Sequence, residues 1–120
     1  HENIAQIYEV IRRDNKIYIF MEHCKNGELF DKINRTGPMA EKEAAKIFHQ
    51  ILSALLYLKE SGLSHRDIKP ENVLFDENWN VKLIDFGFSC LTNLGEFRRT
   101  ICGTPSYTAP EIIKRQNYDA

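Results

Sequence analysis

His65-Arg66-Asp67-Ile68-Lys69-Pro70-Glu71-Asn72, followed downstream by Asp85-Phe86-Gly87, decides how this chain is read. Between the two stretches lie two short apolar runs, 73–75 and 81–84, around the turn-forming Asp76-Glu77-Asn78-Trp79-Asn80. That pattern predicts a β-hairpin. A tight hairpin brings its outer ends together, so Asp67, Lys69, Asn72 and Asp85 are expected to converge. Two carboxylates, an amide and an ammonium meeting at one point are costly to hold without a ligand. A hard divalent cation carrying a polyphosphate would satisfy all four. The oxygens would ligate the metal, and the lysine would neutralise charge on a transferring phosphoryl group. A lone Asp-Phe-Gly reads as a turn; joined to residues 65–72 at this spacing it reads as part of a site.

Working outward, residues 4–11 and 17–21 predict two strands joined by the polar turn Arg12-Arg13-Asp14-Asn15. Asn26-Gly27 breaks the pattern, and residues 28–33 predict a short helix that stops at Thr36-Gly37-Pro38. From 41 to 61, Ala44, Ile47, Phe48, Ile51, Leu52, Leu55, Leu56 and Leu58 recur at three- and four-residue steps. This is the strongest helix signal in the chain, its apolar stripe is expected to be core, and Gly62 supplies the stop. Its start is less regular, because Ala40 stands where a Ser or Asp cap is usual. Residues 88–105 have no clean period, and 110–115 predict the opening of another helix.

The composition is that of a globular protein, with 42% hydrophobic and 28% charged residues in 120. Sixteen Lys and Arg against 17 Asp and Glu give a charge of −1, which offers no electrostatic reason to expect nucleic acid or an anionic membrane as partner. The longest nearly apolar run, 51–58, falls far short of the ~20 residues of a spanning helix. No targeting leader is visible at His1. Cys24, Cys90 and Cys102 are odd in number and match no zinc spacing, which favours a reducing, intracellular and cytoplasmic setting.

The order H-R-D-x-x-x-x-N, then D-F-G, then Ala109-Pro110-Glu111 resembles the middle of a eukaryotic-type protein kinase. The likeness runs from His1-Glu2-Asn3-Ile4, similar to the opening of that family's fourth strand, through Glu111. It implies an α+β, kinase-like fold in which 1–22 end the small lobe, 23–27 are the hinge region and 28–120 start the large lobe. It further implies an ATP- and Mg2+-dependent transfer of the γ-phosphate to Ser or Thr hydroxyls of protein substrates. By the same likeness Asp67 would orient the substrate hydroxyl, Lys69 would steady the γ-phosphate, and Asn72 and Asp85 would ligate magnesium. Lys69 two residues after Asp67 is the Ser/Thr form, and the Thr104 hydroxyl would bond both. Met21 would be the gatekeeper, backbone groups of Glu22 and Cys24 would bind adenine, and Leu74 would floor its pocket. His65, Phe86 and Ile7 would be packed structural members.

Gly95-Glu96-Phe97-Arg98-Arg99-Thr100-Ile101-Cys102-Gly103-Thr104-Pro105 is similar to activation loops of the AMP-activated/SNF1-related branch of the calmodulin-dependent kinase group. There a threonine at the place of Thr100 is phosphorylated by an upstream kinase, and Arg66 would supply its counter-charge. Glu28 and Glu71 match positions that meet a substrate arginine or the ATP ribose, which implies peptides with Arg upstream of the phosphoacceptor. In the family a Gly-rich loop, a lysine strand and a glutamate helix precede the place of His1, so the 120 residues alone are expected to be inactive. The competing reading is a kinase-like scaffolding or binding fragment. Pseudokinases usually lose the equivalents of Asp67, Asn72 or Asp85, and all three stand here.

Overall fold

The computed structural model describes residues 1–91 and 100–118. Gly95 and the Arg98-Arg99 pair lie outside the described residues.

Strands β1 (Ile7–Arg13) and β2 (Lys16–Met21) form an antiparallel ribbon. The turn is tighter than the sequence pattern suggests, because only Asp14 and Asn15 form it. Both have positive φ, 48° and 61°, the left-handed pair that a two-residue hairpin needs and that Asp and Asn tolerate. Arg12 and Arg13 therefore belong to β1. Residues 4–6 do not continue it. Ala5 N–H donates to Leu83 O and Leu83 N–H to Asn3 O, at 3.0 and 2.9 Å, so this segment pairs with the second hairpin instead. Ile7 stays 52% exposed and is absent from the packed core.

Helix α1 (Leu29–Thr36) ends at Gly37, whose φ of 72° lets its N–H reach Ile33 O at 2.8 Å. Helix α2 (Glu41–Glu60) starts at Ala40 with no side-chain cap, as the sequence suggests. Strand β3 (Leu63–Ser64) follows it, and the short strands β4 (Val73–Phe75) and β5 (Val81–Leu83) form the second hairpin. The inward residues of that hairpin, Val73, Phe75, Val81 and Leu83, are almost fully buried against Leu29, Ile47, Ala54 and Leu58. That cluster is the platform on which the polar ends of the hairpin stand.

The apolar stripe of α2 is only partly core. Ile47, Ala54 and Leu58 are buried and Ile51 and Leu55 pack beside them, but Phe48, Leu52 and Leu56 remain exposed. Those three recur every four residues and form a second line on the helix. Strand β6 (Cys90–Leu91) pairs with β3, a pairing that the irregular texture of 88–105 does not announce. Helix α3 (Pro110–Ile113) opens on proline at its first turn, where the missing N–H is no loss. No helix of the described residues is long and apolar enough to cross a membrane.

Candidate functional site

The loop between β3 and β4 turns back on itself at Arg66, whose φ is 67°. His65 is buried beneath it. One ring nitrogen, Nδ1, accepts the N–H of Asp67 at 3.2 Å, while Nε2 lies 2.9 Å from Ile84 O. The ring also packs on Phe86 with centroids 4.8 Å apart. This pattern assigns the proton to Nε2 and leaves the ring neutral. Burial pushes its pKa below the ordinary 6.5, against the opposing pull of the Ile84 carbonyl, Asp67 and Asp85.

The stability consequence has a definite sign. The unfolded chain takes up this proton first, so the contribution is fully present above about pH 6.5 and is lost as pH falls through the folded value. The melting temperature of the full-length protein should therefore drop between about pH 7.5 and about pH 5.5. His65→Gln, which offers a donor and an acceptor but does not titrate there, should flatten that slope. An equal slope in both proteins would assign it to other groups.

Asp67 is the centre of the site and is 4% exposed. Its Oδ1 accepts the Thr104 N–H at 2.9 Å and the Thr104 hydroxyl at 2.8 Å. Its Oδ2 meets Lys69 Nζ at 3.0 Å and Asn72 Nδ2 at 3.1 Å. Lys69 also donates to Thr104 Oγ1 at 2.9 Å, so the hydroxyl sits between ammonium and carboxylate. Burial alone would raise the Asp67 pKa, but the bonds from Thr104 and Lys69 outweigh it and hold the carboxyl below its usual range. The same contact raises Lys69. The site is thus an ionised carboxylate held by four donors and suited to orienting a hydroxyl.

Thr104 reaches Asp67 because Gly103 lets the backbones touch. With φ at 99°, Gly103 is so close to the Arg66 carbonyl that a Cβ would stand 2.8 Å from it. No side chain fits there.

Asn72 lies in the 3₁₀ turn Pro70–Asn72 and spends its amide nitrogen on Asp67, which leaves its side-chain oxygen for another partner. Its carbonyl accepts Ile84 N–H at 3.0 Å, which holds the two ends of the hairpin together. Asp85, at φ 60°, is exposed and commits Oδ1 to Gly87 N–H at 3.1 Å. It stands beside the Asp67 cluster and is not bonded into it. Among the described residues no three His, Cys, Asp or Glu side chains group as a metal site. Two oxygens from Asn72 and Asp85 suit a magnesium ion that completes its sphere with phosphate and water.

In the segment expected to be the hinge, Met21 ends β2, and Asn26 N–H and Gly27 O bond Phe75 at 3.1 and 2.9 Å. Glu28 bridges Leu74 across the same edge. The Glu22 amide is spent on Gln6 O at 2.8 Å, so of its two backbone groups the carbonyl is the one left for the adenine contact expected from the sequence. Cys24 is buried, and burial, then Glu22, raise its thiol pKa. Glu71 keeps one buried carboxylate oxygen, Oε2, without a hydrogen-bond partner.

Two contributors escape the motifs. Lys82 pairs with Glu22 at 2.8 Å. Tyr118 donates its hydroxyl to Thr100 O at 2.6 Å and accepts Arg66 Nη1 at 3.5 Å, while Arg66 Nε donates to Phe88 O at 2.6 Å. Thr100 is exposed, and its backbone is tethered close to Arg66 by a residue eighteen positions away.

The profile of the protein kinase domain matches residues 1–120. CBL-interacting serine/threonine-protein kinase 24 of Arabidopsis thaliana is 48% identical over 120 residues, covering 99% of this chain and 27% of that protein. Serine/threonine protein kinase OSK3 of Oryza sativa subsp. indica is 48% identical over 118 residues, covering 98% and 23%. CBL-interacting protein kinase 11 of Oryza sativa subsp. japonica is 45% identical over 122 residues, covering 99% and 24%. The chain therefore spans about a quarter of the length of these curated relatives.

Proposed function

The chain belongs to the protein kinase domain family, with relatives in the SNF1-related branch of the calmodulin-dependent group, and from that membership we propose that it is the central part of a Ser/Thr kinase. In this reading 1–22 end the small lobe, 23–27 are the hinge and 28–120 begin the large lobe. The observation that carries the reading is the Asp67 carboxylate gripped at once by Lys69, Asn72 and Thr104.

Every bonding direction of Asp67 is taken, so a substrate hydroxyl has to replace a donor. Lys69 is the candidate, since its side chain is 21% exposed, whereas Asn72 is buried and Thr104 is held by two bonds. On leaving Asp67 its ammonium is free for the γ-phosphate, and the vacated carboxylate oxygen accepts the hydroxyl proton of Ser or Thr. Thr104 and Asn72 keep the carboxylate in place during that exchange. Magnesium-ATP, when bound, supplies the transferable phosphoryl group and screens its charge. Asn72 and Asp85 would hold the metal, and Met21, Glu22, Cys24 and Leu74 would surround the base.

The unpartnered oxygen of Glu71 supports a cationic or hydroxylated contact, an upstream arginine of the peptide or the ribose. Glu28 is assigned the same task. Protein substrates and an upstream activating kinase are the expected partners, in an intracellular, cytoplasmic setting.

The test uses the full-length protein. It should phosphorylate a Ser or Thr peptide carrying Arg upstream faster than the same peptide with Ala there. Magnesium-ATP should raise its melting temperature, and Asp85→Ala should remove that rise. A full shift in Asp85→Ala would make Asp85 a turn residue only. ATP binding without transfer to any peptide would favour the scaffolding reading.

A further inference from the structure

Outside the Asp67 cluster, one ion pair among the described residues has both partners shielded. The Lys82 and Glu22 side chains are 14% and 21% exposed, whereas Lys25–Glu77 is 60% and 62% and Arg13–Asp14 80% and 88%. The Lys82 ammonium lies 2.8 Å from Glu22 Oε1, and the other carboxylate oxygen, Oε2, accepts Gln6 N–H at 3.2 Å. With the Glu22 amide bonded to Gln6 O, this residue is fixed through backbone and side chain together. Three separate segments meet there: residues 3–6, the start of the hinge, and β5.

We propose that Lys82 is a nucleotide-positioning residue: by clamping Glu22 it sets the orientation of the peptide group that reads the adenine edge, and it ties that edge to the strand leading to Asp85. The inference rests on the kinase reading above and deepens it.

Two placements support it. Lys82 stands directly opposite Leu74 in the β4–β5 ladder, and opposite residues in an antiparallel pair share a face. The aliphatic stem of Lys82 therefore runs beside the residue expected under the adenine ring. Lys82 also lies three positions before Asp85, on a strand whose Leu83 is held on both sides by Asn3 O and Ala5 N–H. The base end and the metal end of the nucleotide site are thus braced by one short strand. Removing the ammonium leaves a shielded carboxylate short of a charged donor, and such a group relaxes towards solvent. The Glu22 peptide plane would turn with it.

The full-length kinase carries the test, as Lys82→Met, Lys82→Arg and the exchange Glu22→Lys with Lys82→Glu. Methionine keeps the stem and loses only the charge. It should raise the Kd and KM for magnesium-ATP about tenfold, with kcat within about twofold and the peptide KM unchanged. Arginine should restore ATP affinity to within about threefold, and the exchange should recover a substantial part of it. Should Lys82→Met fail to fold, the exchange variant decides: ATP affinity near the wild type supports the clamp, and none overturns it. An unchanged ATP KM in Lys82→Met overturns the proposal, as does a rise in kcat, which would make the pair a restraint. Equal losses for ATP and peptide would make Lys82 a general stability residue and also overturn it. A wild type that takes no ATP overturns the kinase reading and this inference together, and is told apart by the wild-type titration.

Discussion

Asp67→Asn in the full-length kinase should cut peptide phosphorylation by roughly a hundredfold to ten-thousandfold while magnesium-ATP still raises the melting temperature. The substitution is isosteric, so its effect comes from hydrogen-bond polarity. The side facing Thr104 needs an acceptor for an N–H and an O–H, and the asparagine oxygen can serve there. The other side meets Lys69 Nζ and Asn72 Nδ2, both donors, and an NH2 in that place opposes two donors. Lys69 is then released with no carboxylate to receive the substrate proton. In the proposed reading nucleotide affinity rests on the hinge and on Asn72 and Asp85, so it should persist. Near-normal turnover in the mutant would sink the assignment of Asp67. Acidification to mildly acidic pH should not mimic the mutation, because the Asp67 carboxyl is held below its usual range. Its stabilising contribution is present above the ordinary value of about 3.8 and disappears only as pH falls through the lower folded value.

How much of the fold is legible in the sequence depends on the range of the interaction. The second hairpin can be read because strand, turn and strand are local and carry their own period. The same holds for α2, yet periodicity does not say which apolar face is covered, so it assigns Phe48, Leu52 and Leu56 to a core they do not join. Apolar residues on two sides of one helix give the same spacing signal as a single broad face. The β3–β6 pairing is invisible because two-residue strands have no period and their partners lie far apart in sequence.

The site divides in the same way. Asp67, Lys69 and Asn72 stand within one loop, and their fixed spacing announces them. Thr104 is reachable only through resemblance, since its contact with Asp67 depends on Gly103 pressing against Arg66 across the structure. Nothing local marks Lys82 or Tyr118. A lysine on a short strand reads as a solvated charge until Glu22 is found beside it. The hairpin pattern brings Asp85 up to the polar cluster, close enough to act on Lys69 and His65, while the Asp85 carboxylate accepts the Gly87 N–H.

Thr100→Ala should leave a folded, ATP-binding full-length kinase whose activity is lower than that of the Thr100-phosphorylated wild type by roughly tenfold to a hundredfold. Arg66 spends Nε on the Phe88 carbonyl and reaches Tyr118 only loosely at 3.5 Å, so part of its guanidinium remains to be claimed. Tyr118 meanwhile holds the Thr100 carbonyl at 2.6 Å. A phosphate on the Thr100 hydroxyl would be built at a backbone already anchored near that cation. Charge-assisted bonds contribute roughly 1.5–3 kcal/mol each before the cost of ordering the loop, and about 1.4 kcal/mol is a tenfold change in rate. Arg66 also directly precedes Asp67, and its carbonyl is the surface on which Gly103 rests, so an added bond there bears on the position of Thr104. The gain in activity on phosphorylation at Thr100 is the quantity to measure, because it cancels any loss common to both forms. Arg66→Ala should shrink that gain to near unity. Tyr118→Phe, which keeps the ring and loses the tether, should reduce it by a smaller factor. If Thr100→Ala matches the phosphorylated wild type, the segment is already in its substrate-accepting form and Arg66 serves only to hold Phe88 and Tyr118.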